Sequence, residues 1–236
     1  MGKTKEKAEE SSNLPVNMED VIKKQLQEQK KHLGALPSNK IGTGGKEFKL
    51  PDGQTSPGPM QVIVLDYVWF MVNYPGVYNA SDPKQPNCFA IGRIGPDDES
   101  RDLKPHESSA EPQHENCKDC PKNEWGSAPT GAGKACKNQR RLLVLPTDAD
   151  KDSEPMTIYV SPGALKNFDS YVSRLAAEHN LLPVQVITEI SFDKNKQYTS
   201  LQFAFKGKHD NMNLFWGKRE QSQDLIFRPL ETEKAA

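Results

Sequence analysis

At 236 residues, with 35% hydrophobic content and a mean hydropathy of -0.76, the chain has room for one generous domain but is too polar to be packed core throughout. A net charge of -1 gives no overall bias toward nucleic acid or an anionic surface, so the placement of charge carries the information. No stretch approaches the roughly eighteen apolar residues of a membrane span; the strongest run, Val62 to Val72, is short and contains Asp66.

In chain order, residues 1–45 read as a flexible N-terminal arm with a short helix. MGKTKEKAEESS has no apolar h-region, so neither a signal peptide nor secretion is expected. Met18 to Leu33 carries Val21, Ile22, Leu26 and Leu33 at approximate helical spacing and stops at Gly34. Gly44 and Gly45 have no strand before them and no Lys-Ser/Thr after them, which removes any phosphate-loop meaning. From Lys46 the pattern turns to β. Glu47 to Leu50 alternates, Pro51-Asp52-Gly53 is turn chemistry, and Met60 to Tyr74 is the best strand, long enough for one strongly bent strand or two. A polar, acidic excursion follows, with seven carboxylates between Asp97 and Glu115. It is too long to be structureless inside a compact domain unless something pins it. Arg141 to Leu145 and Met156 to Val160 read as strands. Ser161-Pro162 opens a helix with a capping hydroxyl and proline at its first position. That helix runs to about His179 with Leu165, Phe168, Val172 and Leu175 on one face. Val184 to Phe192 and Tyr198 to Phe205 form a hairpin around Asp193–Gln197, and Asn211 to Leu225 is a last helical segment.

The expected fold is mainly β with α: an OB-like Greek-key barrel spanning 46–205, with a metal-knuckle insertion at about 84–141 and a C-terminal helix and tail at 206–236. A generic α+β sandwich has the same periodicities.

The chemistry concentrates in the insertion. Its four cysteines, Cys88, Cys117, Cys120 and Cys136, are all the chain has. Cys117-Lys-Asp-Cys120 needs one short turn to aim two thiolates at a common point, and Cys136 follows within zinc-ribbon range. Four thiolates with no open position make a closed structural site, expected to hold one zinc ion; an iron–sulfur cluster suits the same ligands. Unlinked reduced cysteines are the plain alternative, and His106 or His114 could replace one thiolate. Disulfides lose their weight without secretion.

Around the cysteines, Lys134, Lys137, Arg140 and Arg141 form a basic run without an acid, joined by Lys118 and Lys122, and Trp125 stands in a glycine-rich loop. Cations beside a ring suit single-stranded nucleic acid, with phosphates on the charges and bases on the ring. The same residues fit a ring packed under the metal loop and a solvated basic face. A second basic and aromatic group combines Lys206, Lys208, Phe215, Trp216, Lys218 and Arg219, with one of its two rings expected in the core. Hydrolase, zincin, P-loop and zinc-deaminase signatures are absent, so no catalytic residues are expected.

The run CKDCPKNEWGS from Cys117, then GAGKACKNQRRL from Gly131, resembles a family of tailed-bacteriophage single-stranded DNA-binding proteins. PNCFAI from Pro86 and VSPGALKNFDSYV from Val160 add to the likeness, which covers residues 45 to 205. The resemblance implies an OB-like protein that coats single-stranded DNA in phage replication or recombination, in the cytoplasm of the infected bacterial host. The four cysteines would be its metal site, with replication or recombination proteins as partners, self-association along the DNA, and no membrane. The chain ends LETEKAA, without the acidic tail such proteins commonly carry. The competing reading is a zinc-stabilised phage protein that binds a host or virion protein rather than nucleic acid.

Overall fold

The computed structural model describes residues 21, 39–76, 84–93 and 103–230. The N-terminal arm up to residue 38, apart from residue 21 of its expected helix, the start of the acidic excursion and the last six residues lie outside them. The folded unit begins at Asn39, earlier than the expected Lys46. The reason is pairing: β1 (Lys40–Ile41) runs parallel to Thr157–Ile158, and the Thr157 amide donates to the Asn39 carbonyl at 2.7 Å.

The architecture is mixed α+β with a core made mostly of sheet. β2 (Phe48–Lys49) and β3 (Thr55–Ser56) make a small ribbon around Pro51–Gly53, where Gly53 takes the positive φ of 86° that the turn demands. The main sheet has seven strands: β1, β4 (Met60–Asn73), β5 (Cys88–Gly92), β6 (Lys137–Pro146), β7 (Met156–Val160), β8 (Val186–Phe192) and β9 (Leu201–Lys208). Their order is β1-β7-β6-β4-β8-β9, with β5 also on β4. The path is open: β7 and β9 are its outer main strands, and no pairing joins them among the described residues.

β4 organises everything else. One edge pairs with β6 from Val62 to Val72, while the other is shared, by β8 at Met60–Val62 and by β5 at Trp69–Asn73. The ladder with β6 slips between Val64 and Asp66. One extra residue in a period-two strand sends every later side chain to the opposite face. Accordingly Val62 and Val64 share a core cluster with Tyr67 beyond the bulge, whereas Ile63 and Leu65 share the opposite one with Val68. Both faces are covered, so β4 and β6 read as continuous apolar runs rather than alternating ones.

On the first face lies α1 (Leu165–His179), burying Phe168, Tyr171 and Leu175. Tyr171 joins the apolar face because its hydroxyl meets Thr188 Oγ1 at 2.6 Å. A 3-10 turn, Pro162–Ala164, precedes α1, and the Ser161 hydroxyl makes no cap; it donates weakly to the Thr199 carbonyl at 3.5 Å. Asn180, with φ 53°, ends the helix in the left-handed conformation, its amide donating to Ala176. On the second face pack α2 (Met212–Gln221) and α3 (Gln223–Phe227), with Phe215 and Ile226 fully buried. The expected C-terminal helix is thus present and closes a core, with a second short helix, α3, continuing it. No helix among the described residues is long and apolar enough to cross a membrane.

Candidate metal centre and nucleic-acid surface

The C-terminal end of β4 carries the cysteine site. Cys88 opens β5 opposite Asn73, and Cys136 immediately precedes Lys137, the β6 partner of Val72. Two thiols therefore flank one strand end. Between them, the described part of the excursion is held on β5 by main-chain bonds: His106 donates to Phe89 at 2.8 Å and Glu111 to Asn87 at 2.7 Å. The Cys117 amide donates to Leu103 and the Cys136 amide to Lys122, which sets Cys117 and Cys120 opposite the other two. All four cysteines are buried and free of disulfides. Together with Met71, Asn73 and His114 they line one space of about 10 Å³, room for a single small ion or water molecule.

Two of the thiols, Cys117 and Cys136, favour their protonated form. Burial, then the neighbouring cysteines, push Cys136 up to about 12, with Lys134 opposing weakly; burial, Cys88 and Cys120 do the same for Cys117. Packing several potential thiolates together is unfavourable unless a cation joins them, and a bound divalent metal reverses that balance. The donor set thus suits a four-thiolate ion. Among the described residues no group of three or more His, Cys, Asp or Glu stands already drawn together around a metal position.

From Cys120 to Cys136 the chain forms a loop closed by its own bonds. Gly126 N–H donates to Gly133 C=O at 2.8 Å, Asn123 Nδ2 to Cys117 C=O, and the Ser127 hydroxyl contacts the Lys122 and Glu124 carbonyls while accepting from Ala135 N–H. Gly126, Gly131 and Gly133 all take positive φ, so these glycines shape the turns. Trp125 does not pack beneath the loop: it is 81% exposed at the tip. Lys118, Lys122 and Lys137 are exposed; Lys134 is half-buried, its ammonium on Asn123 Oδ1 at 3.1 Å.

Arg140 and Arg141, expected among the phosphate contacts, are instead 3% exposed. Alternation in β6 sends them to opposite faces. Arg140 lies over the Trp69 ring, 3.1 Å from its centroid, and pairs with Asp169 at 2.9 Å. Arg141 sits over Phe70 and Tyr159 and donates to the Ile226 and Arg228 carbonyls, clamping the chain after α3. As placed, neither side chain is free to meet a phosphate.

The second expected group also divides. Phe215 is core. Trp216 is half-buried, with Nε1 on Glu220 at 2.9 Å and Arg219 stacked on its ring at 4.8 Å. The Lys218 ammonium is committed to the carbonyls of Lys151 and Ser153, both at 2.7 Å. Lys206 pairs with Glu189 at 2.9 Å, and Lys208 is exposed.

Other candidate residues emerge only from the sheet. Lys40 lies over the Tyr159 ring at 4.9 Å, near Arg141, and Tyr74 is half exposed beside them. Burial, then Arg141, lowers the Lys40 pKa. Trp69, Asp66 and Arg93 meet around a cleft on the open edge of β4. Nothing in the local sequence marks these groups, because the β4 and β6 alternation and the bulge bring them together. Comparison with protein-family models, curated proteins and solved structures found no match for this chain.

Proposed function

We propose that this protein is a non-enzymatic single-stranded DNA-binding protein on an OB-like scaffold, with Cys88, Cys117, Cys120 and Cys136 holding one structural zinc ion. The strand order supports the scaffold. β4, β6 and β7 form a meander, and β8 returns beside β4, giving the order 8-4-6-7 of a Greek key. α1 stands between the third and fourth of these strands, and a partly open barrel is within the range of OB-folds. Across the open seam, Asn167 Nδ2 donates to the Leu201 carbonyl at 2.8 Å, and Ile158, Val160, Leu201 and Phe203 share one core. The shared cavity, lined by all four cysteines, supports the zinc reading over unlinked reduced thiols.

The observation that carries the reading is Trp125: an 81% exposed ring on a loop braced by its own hydrogen bonds, in a stretch of chain that also carries Lys118, Lys122, Lys134 and Lys137. A pre-formed ring stacks on any base, and flexible lysines meet phosphates of any sequence. Such a protein would coat single strands in phage replication or recombination within the host cytoplasm, associating with itself along the strand and with partner proteins.

The test is fluorescence anisotropy with labelled oligo-dT and a hairpin duplex at matched salt. Single strands should bind more tightly than duplex. Trp125→Ala should weaken oligo-dT binding by roughly 1–3 kcal/mol while leaving the melting temperature unchanged, because the ring is solvent-exposed. Equal affinity for the duplex, or an unaffected Trp125→Ala variant, would refute the proposal.

A further inference from the structure

β8 pairs with β4 only as far as Val62, and β5 begins pairing at Trp69, so the edge between them has no strand beside it among the described residues. A cleft of about 260 Å³ opens there. Its floor is polar. The Asp66 carboxylate, 5% exposed, accepts the Tyr67 amide at 2.8 Å and the Gln223 side-chain amide at 3.2 Å. Arg93 follows β5, pairs with the same carboxylate, and donates to the Tyr67 carbonyl at 3.4 Å. Arg219 stands 3.8 Å from Asp66. Two guanidiniums, 44% and 27% exposed, therefore face one carboxylate, and the mouth carries a surplus positive charge. The walls are apolar: Val172 and Ala176 of α1 on one side, the connection from Leu181 to Val184 on another.

Trp69 links this cleft to the knuckle. Its ring lines the cleft, carries Arg140 over its face, and packs against the cluster containing Cys117 and Cys136. The volume falls below the roughly 300–1,000 Å³ of drug-sized ligand sites, which suits a single planar ring rather than a whole cofactor. An apolar slot beside an indole takes the π-face of a base, and a cationic mouth takes its phosphate.

We propose that this cleft receives one nucleobase of the bound single strand, with the adjoining phosphate on Arg93 and Arg219. The proposal rests on the single-strand reading above and adds a site apart from Trp125. Ala176 lies exposed on α1 at the cleft wall, clear of the Asp66 pairs and the knuckle lysines. Ala176→Trp fills the slot and should raise the oligo-dT Kd at least about fivefold, the lower end of one lost stacked base, with an unchanged salt slope. Arg219→Gln should flatten the slope of log affinity against log salt by about 0.7, with folding preserved. In a Trp125→Phe, Trp216→Phe background, oligo-dT should quench the fluorescence of Trp69.

If wild type fails to bind oligo-dT at all, the single-strand reading falls and takes this proposal with it. If wild type binds while Ala176→Trp binds equally well and Trp69 fluorescence is unmoved, the cleft proposal alone is overturned. Should Ala176→Trp fail to fold, the Arg219→Gln slope and the Trp69 signal decide: both unchanged overturns it.

Discussion

Arg141→Met separates two roles for one guanidinium. In the structure the group is buried and donates to the Ile226 carbonyl at 3.0 Å and to that of Arg228, with its centre 4.8 Å from the Phe70 ring and 5.3 Å from that of Tyr159. A hydrogen bond from a charged donor contributes about 1.5–3 kcal/mol net, so the two together contribute roughly 3–6 kcal/mol. Part is offset by relief of burying the cation, the desolvation that leads the lowering of the Arg141 pKa. Met fills the slot but leaves both carbonyls without this donor, and a net loss of about 3 kcal/mol follows. For a domain of this size that lowers the melting temperature by roughly 6–12 °C. Urea and thermal unfolding measure the loss, and hydrogen exchange of residues 223–230 should quicken first, because this clamp holds the segment after α3. The slope of oligo-dT affinity against salt should stay as in wild type. An unchanged melting temperature and exchange pattern, with a salt slope reduced by about 0.7, would refute the clamp and return Arg141 to the phosphates.

Asp66 should shape the acid limb of stability. Burial alone would raise its carboxyl, but Arg93, the Tyr67 amide and Arg219 outweigh burial and hold it below 3.8. A depressed folded-state pKa stabilises the fold above the unfolded value, and this stabilisation is lost as pH falls through the folded value. Asp66→Asn should cost about 1–3 kcal/mol at neutral pH and flatten unfolding against pH below about 4; a parallel acid limb in the variant contradicts the assignment. Zinc added to reduced, metal-free protein should release protons, since Cys117 and Cys136 start protonated with pKa values near 12. It should also raise the melting temperature. Cys120→Ser should weaken zinc binding by more than the roughly 10–100-fold that loss of a supporting contact costs. Elemental analysis finding no zinc, or visible absorption from an iron–sulfur cluster, would reject this ion.

The sequence alone marked the elements whose information is local. Met156–Val160 is the expected strand residue for residue, and β4 and α1 lie within a few positions of their expected bounds, because turn residues and unbroken apolar runs act within one element. The hairpin was legible too, though β9 starts at Leu201 rather than Tyr198. The four cysteines line one small cavity, because a short turn and two strand ends bring them to the same end of β4.

Tertiary structure decided what depends on which face a residue meets. Arg140 and Arg141 are neighbours in a basic run, yet β6 sends one onto Trp69 and the other under α3, and both leave solvent. Trp125 could equally have packed beneath its loop; in the fold it stands 81% exposed at the tip. Of the two rings on the last helix one was expected in the core; the fold takes Phe215 rather than Trp216, together with Ile226 just past the expected end of that helix, because β4 and β6 need cover on both faces. The bulge at Val64–Asp66 left no readable mark. One inserted residue reverses the faces of a strand without altering its composition, and the pairing of neighbours, not the order of letters, fixes where it falls.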